Sequence, residues 1–266
     1  MKLFKIWTSA KAKIVIGSEE KEITCYGGSN VSIEEAELRA KEKLERLQRK
    51  IKGDKQVLTD YEVEIREEIL QTVDDKSIIT RNRYGAQVLN AENLMFLDID
   101  KPKASFAGLF KKKDPQQDKA KIFDMVRKLA TSPKYSALGF RIYETFAGAR
   151  VIVLGKEFST RDRDTIAMMN EFHCDTLYVA ICRKQVCFRA RLTPKPYRIN
   201  MKPYKVKYPT DGDDTEFRKW LQTYEYQSHN FSVCNFIEQV GGGHFAPDTV
   251  KIHDDMTGAT VNRALA

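Results

Sequence analysis

An α+β fold built around one central sheet is what this sequence of 266 residues predicts, and three observations carry the prediction. Two kinds of apolar segment alternate along it. Short runs bounded by Gly, Pro, Asn or Asp read as strands, and longer segments with apolar residues three and four apart read as amphipathic helices. Between residues 93 and 200 their order is strand, helix, strand, strand, helix, strand. Hydrophobic residues make up 42% of the chain and aromatics 10%, which is enough for a core and argues against disorder.

Residues 1–92 read as a small α+β unit. "LFKIWTS", "KIVIG" and "EITCYGG" alternate as strands do. Ser32 then opens a helix, with Glu35 three residues on as a capping box. Ile33, Ala36, Ala40, Leu44, Leu47 and Ile51 form one apolar stripe, and Gly53 ends it. "YEVEIREEIL" alternates Tyr61, Val63 and Ile65 against charged residues, and "SIITRNRYGAQVLN" reads as a hairpin turning at Tyr84-Gly85.

Residues 93–200 read as the central domain. Leu94 to Ile99 is apolar on both faces, as a central strand is. A helix from about Asp118 to Ala130 presents Ile122, Val126, Leu129 and Ala130 on one face and ends at Ser132-Pro133. "GFRIYET" and "ARVIVLG" are strands joined at Phe146-Ala147-Gly148. A helix from about Thr160 to Phe172 precedes a last strand, "LYVAIC". This order is the ferredoxin-like split βαβ arrangement shared by RNA-recognition modules. Residues 201–266 read as a mostly helical C-terminal extension: a helix at Thr215 to Tyr226, an apolar stretch "FSVCNFIEQV", and "VKIHDDMTGA", where His253, Asp254 and Asp255 read as part of a solvated helix.

Charge narrows the partner. The net charge is +8, and Arg183 to Lys207 carries nine Lys or Arg and no acid, while Lys101 to Lys113 carries five lysines. Clustered cations of this kind suit phosphate, as nucleic-acid backbone or nucleoside triphosphate. Phe188, Tyr197 and Tyr204 are interleaved among them, offering rings for bases to stack on. Arg81, Arg83, Arg189, Arg191, Lys195 and Arg198 are therefore the expected contacts to DNA or RNA. No apolar run approaches the ~20 residues a membrane helix needs, and the N-terminus carries charges inside its apolar stretch, so the expectation is a cytoplasmic protein without membrane contact. Five cysteines without a CxxC pair are expected to be reduced and mostly buried.

One stretch suggests chemistry. "LMFLDIDKP" ends a strand in Asp98 and Asp100, which share a face because they are two residues apart. In a split βαβ sheet the rim at that strand end also receives Thr145, Arg150, His173 and Asp175. Three carboxylates so placed call for a hard divalent cation, Mg²⁺ or Mn²⁺. Arg150, Lys101 and Lys103 would hold phosphate oxygens beside it.

The same residues resemble the archaeo-eukaryotic primase superfamily, the primase-polymerases, over roughly residues 93–200. Asp98-Ile99-Asp100 is similar to its first motif. "TFAGAR", with Thr145, Gly148 and Arg150, is similar to its second, and Cys174-Asp175 to its third. The resemblance implies an RNA-recognition-like palm in which Asp98, Asp100 and Asp175 bind the catalytic metal and the second motif binds the nucleotide. Arginine stands at position 150 where the family has histidine, which keeps a phosphate-binding cation, and the family's cysteine-rich zinc element is absent. The implied activity is metal-dependent nucleotidyl transfer. A non-catalytic nucleic-acid-binding protein on the same fold and a metal-dependent nuclease are the alternatives.

Overall fold

The computed structural model describes residues 1–16, 19–53, 64–100, 115–206, 208–209, 214–243 and 247–266. Lys101 and Lys103, expected at the site, and Tyr61 and Val63, expected in a strand, lie outside the described residues. The chain forms two compact units: Lys2–Glu68 with Lys207–Asp213, and Met1 with Ile69–Val206 and Asp214–Ala266.

In the first unit, β1 (Ile6–Ile16) and β2 (Glu19–Ser29) make an antiparallel hairpin in unbroken register from Ile6 opposite Ser29 to Ile16 opposite Glu19. "LFKIWTS" and "KIVIG" thus feed one continuous strand. Helix α1 (Ile33–Ile51) buries Ala36, Ala40 and Leu44, and Ser32 caps it by accepting from the Glu35 amide at 3.2 Å. The Glu35 carboxylate bonds the Ser29 hydroxyl and Arg39, so the expected capping box is half formed. Gly27 lets α1 lie directly on β2, since a Cβ there would sit 2.0 Å from the Ala36 carbonyl oxygen.

The second unit holds two four-stranded sheets. Strands β3 (Glu68–Thr72), β4 (Ser77–Arg81) and β5 (Gln87–Ala91) belong to one of them. The β4–β5 hairpin turns at the predicted Tyr84-Gly85, with the Asn82 side chain accepting from the amides of Tyr84 and Ala86. β6 (Met95–Asp100) opens the other sheet. It is followed by α2 (Pro115–Ala130), β7 (Gly139–Thr145), β8 (Gly148–Leu154) and α3 (Arg163–Glu171). Every residue of β8 is buried, as its interior place requires.

Next comes α4 (Thr176–Gln185), where "LYVAIC" was expected as a strand. The reason is local. Asp175 caps the helix by accepting from the Tyr178 amide at 2.9 Å, Arg183 and Lys184 complement its last turn, and the buried Val179 and Cys182 are three apart, not two. The strand that follows, β9 (Phe188–Arg191), pairs with β5 and completes the order β3-β4-β5-β9.

The C-terminal block is not chiefly helical. α5 (Thr215–Ser228), β10 (Phe231–Ser232), β11 (Cys234–Gly241), α6 (Asp248–Thr257) and β12 (Ala264–Leu265) alternate there. β11 joins the edge of β7, so the second sheet runs β11-β7-β8-β6, antiparallel throughout. The chain is therefore mixed α+β, with six α-helices among the described residues. Met95, Leu97 and Ile99 of β6 join Phe140, Val151, Val153, Ile122, Val126, Met168 and Phe172 in one buried core. No helix among the described residues is long and apolar enough to cross a membrane. None of the five cysteines forms a disulfide; four are buried and Cys25 is partly so.

Candidate active site

Strand register builds the site. Asp98 on β6 lies opposite Arg150 on β8, Arg150 opposite Tyr143 on β7, and Tyr143 opposite Phe236 on β11, a single row across the sheet. Side chains along such a row share a face. Asp100, two residues beyond Asp98, lies opposite Gly148. Gly148 has a structural reason of its own: a Cβ would stand 2.1 Å from the Ile99 carbonyl oxygen, so only glycine lets β8 start this close to β6. Its amide donates to the Thr145 hydroxyl at 3.0 Å, closing the turn.

At this end of the sheet is a narrow cleft lined by Asp98, Asp100, Thr145, Ala147, Arg150, Arg191, Lys195, Arg198 and Val233. Seven of these are residues the sequence singled out. Four cations there face two carboxylates. Burial, then the Arg150 charge, lowers the Arg191 pKa. Loss of water within the rim, then the neighbouring Asp98 charge, raises that of Asp100, with Lys195 pulling the other way. Arg150 is only 5% exposed. Its Nε lies 3.9 Å from Asp98 Oδ1, and its Nη1 donates to the Arg191 carbonyl at 3.0 Å.

Asp175 adjoins the cleft but does not line it. Its amide donates to the Asp98 carbonyl at 3.0 Å, which ties the start of α4 to β6, and its carboxylate is turned to the cap of α4. Among the described residues no group of three His, Cys, Asp or Glu side chains is arranged to hold a metal ion. Two carboxylates without a third are not a protein-only cage. They do fit Mg²⁺ or Mn²⁺ held in the usual way for phosphate substrates, by one or two carboxylates with the remaining ligands from phosphate oxygens and water.

The other expected contacts lie elsewhere. Arg81 is buried, 3.8 Å from Glu225, and bonds the Gly85 carbonyl. Arg83 is bonded to the Tyr84 hydroxyl and stacked on its ring. Arg189 donates to Gln185 at 2.9 Å. His173, expected at the rim, does not line the cleft and borders an apolar hollow that it shares with Asp100, Ile122 and Met125. A larger cavity, about 380 Å³, lies within the N-terminal unit between Lys2, Arg39, Lys43 and Glu64. Two of its cations are ion-paired, Lys43 with Glu64 and Arg39 with Glu35.

Two features of the site escaped the sequence. The first is Phe146, 51% exposed, between Thr145 and Ala147 with the Arg198 guanidinium 4.3 Å from its ring centre; it joins Tyr197, which was expected as a stacking ring and is 60% exposed beside Lys195. Both rings stand next to cleft residues. The second feature is His253, which is fully buried, not solvated. Its Nε2 lies 3.3 Å from Arg150 Nη1, and its Nδ1 lies 2.9 Å from Asp254. The signal was present: Val250, His253 and Thr257 are spaced three and four apart on one stripe of α6, and all three are buried. Only Asp255 of the acidic pair is exposed, where it pairs with Lys251.

No protein-family model, no curated protein sequence and no solved structure matches this chain.

Proposed function

We propose that the cleft binds a nucleoside triphosphate for metal-dependent nucleotidyl transfer of primase-polymerase type, with DNA or RNA as the other substrate. One observation carries the reading: Asp98 and Asp100 line the same cleft as Arg150, Arg191, Lys195 and Arg198. A polyphosphate with its divalent cation suits both halves of that lining. The four cations take phosphate oxygens, with Arg150 offering a planar fork. Asp98 and Asp100 take the cation. A bound Mg²⁺ or Mn²⁺ supplies charge stabilisation on the transferring phosphate and a lowered pKa at the attacking hydroxyl.

The exposed rings of Phe146 and Tyr197 extend the reading from nucleotide to strand. Each stands beside a cation that can follow the backbone while a base stacks on the ring. β9 makes its ladder with β5 yet passes close to β6. Read as a fourth core strand, it gives the spatial order β9-β6-β8-β7, which is that of an RNA-recognition-like palm, with α3 and α4 as its second helical layer.

A second reading, a non-catalytic nucleic-acid-binding protein on the same surface, is favoured by the Asp175 carboxylate, which serves α4 instead of a metal. Titration calorimetry separates the two. The wild type should bind Mn²⁺ weakly alone and strongly together with ATP. Asp98→Ala, which removes a repelling carboxylate, should bind metal-free ATP at least as well as the wild type and lose the gain from Mn²⁺. If Mn²⁺ brings the wild type no gain, the metal site is wrong. If the gain is present but no labelled nucleotide enters any primed or unprimed template, the binding protein is the better description.

A further inference from the structure

The orientation of Arg150 is set from outside the cleft. Its Nη1 carries two hydrogens, and two acceptors lie within reach: the Arg191 carbonyl at 3.0 Å and His253 Nε2 at 3.3 Å. With Nη1 engaged on both sides, the edge formed by Nε and Nη2 remains, and it is from this edge that Nε meets Asp98 at 3.9 Å. That edge is the one that grips two oxygens of a carboxylate or phosphate in parallel.

His253 can accept from Arg150 only as one tautomer. Nδ1 faces a carboxylate oxygen of Asp254 at 2.9 Å, and a carboxylate only accepts, so Nδ1 carries the hydrogen and Nε2 presents its lone pair. Asp254 is fixed in turn by the Tyr143 hydroxyl at 2.7 Å and Arg141 Nη2 at 2.6 Å, both from β7. Burial would raise the Asp254 pKa, but the hydrogen bonds from His253 and Tyr143 outweigh it and hold the group below its ordinary value, ionised. The fully buried imidazole packs against the rings of Phe96 and Tyr143, at 5.6 and 5.1 Å between ring centres.

We infer that His253, oriented by Asp254, is a positioning residue that holds the Arg150 guanidinium with its Nε–Nη2 edge toward bound phosphate. The inference rests on reading the cleft as a triphosphate site. It explains why α6, far along the chain from the acidic strand, packs where it does: the helix contributes no group to the cleft and sets the aim of one that is there. A chain Asp254–His253–Arg150 then runs from α6 to the cleft floor, and each link has its donor and acceptor fixed by the one before.

The test compares two substitutions in the full chain. In His253→Gln the side-chain carbonyl can still accept from Arg150. In His253→Asn the shorter amide can donate to Asp254 but does not reach Arg150. Affinity for a fluorescent ATP analogue in Mn²⁺ should fall about tenfold in His253→Asn, the usual cost of losing a supporting contact behind a ligand-binding group, and stay within about twofold of the wild type in His253→Gln. Added to Arg150→Lys, His253→Asn should cost nothing further, because it acts through the guanidinium. Equal affinity in His253→Asn and the wild type overturns the inference. So does an undiminished loss in the Arg150→Lys background, or an equal loss in both histidine variants tracking their melting temperatures, since each would mean that His253 serves packing alone. A wild type that does not bind the analogue at all removes the triphosphate reading, and this inference with it.

Discussion

A neutral histidine sealed between a carboxylate and a guanidinium makes a fold sensitive to acid. Burial first, with the Arg150 charge adding to it and the Asp254 hydrogen bond opposing, brings the His253 pKa down from 6.5 to about 4. As pH falls below 6.5 the unfolded chain takes up a proton that the folded chain refuses, so stability drops from about pH 6.5 to about 4 and is unaffected by this group above that window. A shift of this size is worth roughly 3 kcal/mol across the window. His253→Gln, which cannot titrate, should melt with a flatter dependence on pH between 4 and 7 than the wild type; parallel curves would mean that the imidazole is protonated in the fold without penalty. Below about pH 3.8 a separate loss sets in, as the unfolded chain takes up a proton at Asp254 that the folded chain, with its lowered pKa, does not.

At the scale of elements, α4 decides what Asp175 is for. Its carboxylate accepts from the Tyr178 amide, and its own amide holds the Asp98 carbonyl, so one residue both starts a helix and anchors it to the acidic strand. Asparagine caps a helix as well as aspartate does, whereas alanine loses ~1 kcal/mol. Asp175→Asn should therefore keep wild-type stability and wild-type Mn²⁺–ATP affinity, and Asp175→Ala should lose about 1 kcal/mol in denaturant melts with affinity little changed. A collapse of metal-dependent binding in Asp175→Asn alone would instead make this carboxylate a metal ligand. The same helix shows where sequence patterns run out. Long periodic segments such as α1 and α2, and the β7–β8 hairpin with its turn residues, were readable because several turns or a whole alternation repeat one signal. "LYVAIC" is six apolar residues, short enough to satisfy either period, and the cap at Asp175 was the deciding mark. Within "FSVCNFIEQV", the part from Cys234 onward is a strand because β7 offers an open edge to it, a fact that no local pattern contains.

Over the whole molecule the net charge of +8 matters by where it lies. The run from Arg183 to Lys207 looks uniform as text, yet the fold sorts it: Arg191, Lys195 and Arg198 reach the cleft, while Arg189 is engaged with Gln185 on α4. Distance along the chain hid His253 for the same reason, since nothing between positions 150 and 253 announces that α6 will cover Arg150. Asp98, Asp100, Thr145 and Arg150 were legible because they sit at the ends of strands whose pairing the element order already implied. Binding to a single strand should reflect this sorting. If Arg150, Arg191, Lys195 and Arg198 each neutralise one phosphate, log affinity for a labelled oligothymidylate should fall against log salt with a slope of roughly −3, from about −0.7 per contact. Lys195→Ala should make that slope shallower by about 0.7. Arg83→Ala, whose guanidinium is stacked on Tyr84 outside the cleft, should leave it unchanged. A slope near zero in the wild type would remove nucleic acid as a partner. An equal change in both variants would show that the strand is held by the basic surface at large, and that the cleft has no special share in holding it.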